Sequence, residues 1–131
     1  MDIEVELSRI IINETSDQQI IALKERHGKR SFPIVIGIIE ALAIDRRLKG
    51  IQSPRPLTHD LLEDIIEKLG ARIVKVVITD LLNHTFYAKI HLDANGRMVE
   101  VDARPSDAIA LSVATSAKIY VADHVLDEVS P

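Results

Sequence analysis

The stretch His84–Leu111, HTFYAKIHLDANGRMVEVDARPSDAIAL, decides the kind of fold this chain adopts. Phe86, Ala88, Ile90 and Leu92 alternate with polar residues, the period of a half-buried strand. Asn95-Gly96 follows, the strongest short signal for a tight hairpin turn. Val99, Val101 and Ala103 then resume the alternation on a second strand. At Arg104-Pro105 the period changes. Pro105 suits the first turn of a helix, where its missing N–H costs nothing. Ala108, Ile109, Ala110 and Leu111 continue as an apolar helix. A hairpin feeding directly into a helix belongs to an α+β fold rather than to a doubly wound parallel sheet.

The rest of the chain agrees with that reading. Ile3, Val5 and Leu7 alternate with Asp2, Glu4 and Glu6 in an N-terminal strand, and QQIIALKE and SFPIVIG flank the polar turn RHGKR as a second hairpin. A helix is expected from about Ile38 to Lys49, with Gly50 as its stop. A second follows the loop IQSPRP, with Thr58 as N-cap, Leu57 and Leu62 as a hydrophobic staple, and Leu61, Leu62, Ile65, Ile66 and Leu69 as a core-facing stripe. Val74, Val76 and Ile78 alternate in the strand after Gly70, AKIYV is expected to close the sheet, and ADHVLDE to form a last helical turn. The expectation is one domain over residues 1–131: an antiparallel or mixed sheet built from hairpins and a meander, with three or four helices.

Composition bounds the function. The 131 residues are 47% apolar and 27% charged, with no Cys, so disulfides and thiolate chemistry are excluded. MDIEVEL does not read as a signal peptide, and no apolar run approaches the roughly 20 residues of a membrane span, so the expected location is the cytoplasm. Net charge is −4. Residues 24–55 nevertheless hold eight basic residues against Glu25, Glu40 and Asp45, giving +5 there and −9 elsewhere. Such a segment is either a solvated face or a surface for an anionic ligand.

Two acids stand where apolar residues are expected. Asp107 shares a helix face with Ala110, Leu111 and Ala114, and Glu40 with Ala43 and Ile44. A buried carboxylate without a partner takes up a proton or destabilises the fold by several kcal/mol, roughly. Each therefore needs a cation, a set of N–H donors or a metal. Arg104 and Arg55 are the candidate mates, since a guanidinium can grip a carboxylate with two parallel bonds. Arg55, Thr58, His59 and Asp60 add a cation, a hydroxyl, an imidazole and a carboxylate at a helix start, a set suited to handling phosphate. Two readings stay open: an Arg–carboxylate network that only fixes the helices, or a cleft around a divalent metal or a phosphate. No Gly-rich phosphate loop, nucleophile elbow or Cys/His zinc spacing is present.

Four segments, SFPIVIGIIEALAI (31–44), RPLTHDLL (55–62), HTFYAKI (84–90) and VDARPSDAIAL (101–111), resemble the bifunctional nuclease family in order and spacing. That resemblance implies a compact α+β domain, often a homo-oligomer, from bacteria or plants, with members named for degrading both RNA and DNA. Longer bacterial members carry a C-terminal coiled interaction segment, so the expectation is a chain without that segment or cut ahead of it. The site expected on this reading has Glu40, His59, Asp60 and Asp107 as catalytic groups. Glu40 and Asp107 would hold Mg²⁺ or Mn²⁺, and Arg46, Arg47, Arg55, Thr58, Arg104 and Ser106 would bind a nucleic-acid substrate. The competing expectation is a non-enzymatic binding or regulatory module in which the same groups form a structural network.

Overall fold

The computed structural model describes residues 1–130. In chain order they form β1 (Asp2–Ile11), β2 (Gln19–Glu25), β3 (Ser31–Ile36), α1 (Ile38–Leu48), α2 (Thr58–Lys68), β4 (Ala71–Leu82), β5 (Thr85–Ala94), β6 (Arg97–Ala103), α3 (Pro105–Thr115), β7 (Lys118–Ala122) and α4 (Asp123–Val129). All seven strands join one mixed sheet in the order β3-β2-β1-β7-β4-β5-β6. The fold is α+β, as the hairpin signals require.

Those signals act locally. Asn95 and Gly96 both have positive φ, 57° and 88°, the geometry of a type I′ turn whose twist matches the flanking strands. They bring Ala94 opposite Arg97 and set the whole β5–β6 register, Ile90 against Val101 and Ala88 against Ala103. A Cβ at position 96 has space, but its φ does not suit an L side chain. Gly96→Ala is expected to lower stability by about 1 kcal/mol. A urea melt checks it as a shift in midpoint at constant slope.

Between these hairpins the register is less regular than simple alternation predicts. β4 carries irregularities after Ile73 and after Ile78. The first displaces Val74 from the buried set expected for it, and Ile73, Val76, Val77 and Ile78 are buried instead. A bulge inserts one residue and so resets which side chains face inward.

The segment expected to close the sheet lies at its centre. β7 sits between β1 and β4, antiparallel to the first and parallel to the second. It joins the three-stranded unit β1–β3 to the three-stranded unit β4–β6. Parallel pairing of β4 with β7 is possible because β5, β6 and α3 intervene as a long crossover.

The core gathers alternate residues of β2 and β3 (Ile21, Leu23, Phe32, Ile34, Ile36), the buried residues of β4 and β5, and most of α3. Helix α3 is buried nearly all round, from Pro105 to Ser112 except Asp107. It packs on α1 and against β4, β5 and β7.

Helix α2 departs most from expectation. Its N-cap is Leu57 rather than Thr58, without a side-chain cap, and the Asp60 carboxylate accepts the Leu57 N–H at 3.0 Å. The expected staple of Leu57 with Leu62 is therefore out of phase by one residue. The apolar stripe exists, but of its five residues only Ile66 packs against the core. Leu61, Leu62, Ile65 and Leu69 are all exposed, and His59 is the one buried residue of the helix. Periodicity identifies the apolar side of a helix; it does not supply the element that covers it. No helix of the described residues is long and apolar enough to cross a membrane.

Candidate active site

The four groups of the site arrive from three elements. Glu40 lies in the first turn of α1, which starts from extended Gly37. A Cβ on Gly37 would come within 2.9 Å of the Glu40 carboxylate, so a glycine there leaves room for the acid to fold back over the helix start. His59 enters on the first turn of α2. Arg104 ends the β6 connection as the N-cap of α3, and Asp107 follows one turn later.

These groups form a chain. His59 Nε2 lies 2.9 Å from Asp107 Oδ1. Asp107 Oδ2 accepts from Arg104 Nε at 3.0 Å and pairs with Arg104 Nη2 at 2.9 Å. The same Nη2 reaches Glu40 Oε1 at 2.8 Å. The hydrogen bond to Asp107, then the charge of Asp107, holds the Arg104 guanidinium above its usual pKa. This answers why two acids stand on apolar helix faces: each is held by one guanidinium, and Asp107 also by an imidazole.

The ends of the chain are open. A carboxylate only accepts, so Nε2 carries the hydrogen of a neutral His59 and Nδ1 keeps the lone pair. Nδ1 has no hydrogen-bond partner among the described residues. Arg104 Nη1 likewise has no protein partner among the described residues, on a side chain 67% exposed. One ring nitrogen and one cationic N–H group of the network are thus left without a protein partner among the described residues.

The network lines a cavity of about 620 Å³. Thr58 and Asp102 also line it, and the remaining walls are aliphatic, among them Ile39, Leu62, Ile66, Leu92 and Val101.

The other sequence candidates lie elsewhere. Asp60 turns to Arg47, whose nearly buried guanidinium meets Asp60 at 2.6 Å and Glu63 at 3.1 Å, tying α1 to α2. Arg46 borders a small pocket on that side, and Arg55 is exposed in the loop before α2, paired with neither acid. Ser106 is buried and faces a second depression with Gly37 and Phe86. The basic segment does not converge on the cleft. Lys24 donates to the Gly28 carbonyl, Arg26 pairs with Glu4, and Arg30 pairs with Glu25 and Asp127. Arg104 is the cation that lines it.

A divalent cation at Glu40 and Asp107 does not fit this arrangement. Both carboxylates are engaged by Arg104, and no group of three His, Cys, Asp or Glu side chains among the described residues is placed to hold a metal ion.

A family model for the bifunctional nuclease domain matches residues 20–131, which include all four groups. The chain belongs to the bifunctional nuclease domain family. A Mycobacterium tuberculosis protein named as uncharacterised is 42% identical over 123 residues, 94% of this chain and 73% of its own length. Bifunctional nuclease 1 of Oryza sativa subsp. indica is 24% identical over 114 residues, 84% of this chain but 34% of the plant protein. Bifunctional nuclease 2 of Arabidopsis thaliana is 26% identical over 92 residues, 68% of this chain and 28% of its own. The matched segment is thus about a third of the rice protein and somewhat less of the Arabidopsis one.

Sequence reading of this family domain missed the aliphatic walls of the cavity. Leu62, Ile66 and Val101 carry ordinary core periodicity, and nothing local distinguishes a residue lining a cavity from one filling it. Ile39, 73% exposed in the first turn of α1, was hidden in the same way.

Proposed function

We propose that this domain cleaves phosphodiester bonds in RNA and DNA, with His59 as general base, Asp107 orienting and stabilising the imidazole, and Arg104 binding the phosphate. Glu40 positions Arg104. The observation that carries the reading is the His59–Asp107 contact at 2.9 Å beside the free Nη1 of Arg104, in a family whose plant members are named bifunctional nucleases.

In this reaction His59 Nδ1 takes the proton of the attacking hydroxyl, from water or from a ribose 2′-OH. The new O–P bond forms as the P–O bond to the leaving group breaks, and the imidazolium returns its proton to the leaving oxygen. Asp107 offsets the charge that appears on the ring, and Arg104 holds the phosphoryl oxygens where negative charge builds. No step is routed through a metal.

The second reading, a binding or regulatory module, is favoured by the closure of the network: Glu40 and Asp107 both have partners within the protein. Cleavage of labelled RNA and DNA by the purified protein, beside Glu40→Gln and Asp107→Asn, separates the two. Loss of cleavage in Asp107→Asn and a weaker loss in Glu40→Gln support the nuclease. Cleavage surviving both points to a contaminant or another site. Repeating the assay in EDTA and with added Mg²⁺ or Mn²⁺ reads the cation requirement. Complete loss in EDTA would mean that Arg104 gives way to a metal at Glu40 and Asp107.

A further inference from the structure

A nuclease that holds its substrate by the backbone needs several cations along a groove, and this cleft has Arg104 alone. It has instead a chamber of about 620 Å³, within the roughly 300–1,000 Å³ of small-molecule sites, with Glu40, Thr58, His59, Asp102, Arg104 and Asp107 as the polar residues of a mainly aliphatic lining. Ile39, Leu62 and Ile66 supply one wall from the helices; Ile90, Leu92 and Val101 supply the other from β5 and β6. Val101, Ile39 and Leu62 are at least two-fifths exposed, so the chamber is open to solvent.

We propose that this chamber is a nucleobase pocket, so that the domain takes unpaired nucleotides and grips them by burying a base between aliphatic walls. The inference rests on the nuclease reading of the adjoining His59–Asp107–Arg104 network and names its substrate class. The flat faces of any base suit a slot between apolar walls, while Arg104 Nη1 and His59, which also line the chamber, meet the adjoining phosphate. A base stacked and paired in a duplex cannot enter without leaving its stack, at a cost of a few kcal/mol, roughly. Single strands, loops and frayed ends are therefore the substrates, in RNA and DNA alike, because neither wall reads the sugar.

The charge arrangement gives the proposal a signature. Each phosphate contact to a single strand adds about −0.7 to the slope of log affinity against log salt. One guanidinium predicts a slope of about −1 or shallower; a basic groove with five or six contacts would give roughly −4.

The test is fluorescence anisotropy of the intact protein with a fluorescein-labelled RNA of about six nucleotides, within the ~4–16 of a single-strand site. The same strand is measured in a duplex and with abasic sugars at its centre, from about 50 to 200 mM salt. Expected are binding at least about tenfold tighter to the single strand than to the duplex, a similar loss for the abasic strand, and a shallow slope. Leu62→Asn should weaken binding about tenfold without changing the melting temperature, because Leu62 is already exposed. Equal affinity for the abasic strand, a slope near −4, or no binding overturns the pocket. So does sedimentation showing that Leu62→Asn breaks an oligomer apart, which would mean that a second copy fills the chamber. Cleavage read on the same strands keeps the two ideas distinct. Base-dependent binding without cleavage retains the pocket and rejects the nuclease. Cleavage lost in Asp107→Asn but indifferent to the abasic centre rejects the pocket and retains the nuclease.

Discussion

Replacing His59 with Ala is expected to slow phosphodiester cleavage by about 10²- to 10⁴-fold, the range that a positioned acid–base group contributes. The change removes the one imidazole of the network, while Asp107 keeps both contacts to Arg104. Asp107 is therefore not left as an unpaired acid, and the fold should survive. Unchanged circular dichroism and a melting transition within a few degrees of wild type would show that it has. Asp107→Asn should fall in the same range for a different reason. An amide can present N–H to the ring, turning the imidazole or selecting the other tautomer, so that Nδ1 no longer receives a proton. The decisive measurement is the single-turnover cleavage rate of each variant, purified in parallel. A folded His59→Ala protein that cleaves at the wild-type rate would leave the network with only its structural role.

The largest stability effect is expected in α3. Ile109 is fully buried, inside a helix that touches α1 and three strands. Ile109→Ala should lower stability by about 2–5 kcal/mol, combining lost burial with a cavity that the packed sheet and α1 can only partly close. Ile65→Ala is the matched comparison. It is the same substitution in another helix with an apolar stripe, but Ile65 is 46% exposed, so a change within about 0.5 kcal/mol is expected. Urea midpoints of the two variants report the difference directly. Equal losses would mean that the stripe of α2 is covered in solution.

That pair of isoleucines also marks how far the sequence could be read. Elements set by neighbouring residues were legible. The Asn95-Gly96 turn, the RHGKR hairpin, the Pro105 helix start and the Gly50 and Gly70 stops depend on backbone chemistry within a few positions. Asp107 and Glu40 were legible because a carboxylate on an apolar face demands a partner, and Arg104 was near enough in the chain to be named. Features set by distant parts of the chain were not. Nothing in AKIYV distinguishes an edge strand from a central one, and nothing in LLEDIIEKL says whether its leucines meet a neighbour or an open chamber. Sequence left the role of the basic clusters open for a related reason. Charges adjacent in sequence need not act together: Arg47 is absorbed by Asp60 and Glu63, and Arg30 by Glu25 and Asp127. The His59–Asp107 pair spans 48 positions, and only the packing of α2 beside α3 brings it together.

The central position of β7 has a consequence for how the molecule is made. Residues 1–117 contain both three-stranded halves but no strand that joins them, so a chain emerging from the ribosome must hold two ribbons unpaired with each other, with facing edges bare, until β7 appears. Pairing between β1 and β7 links positions more than a hundred residues apart, and long-range closure of that kind folds slowly. During that wait the newborn chain is most exposed to aggregation, and a chaperone that shields strand edges would act on it then rather than on the finished domain.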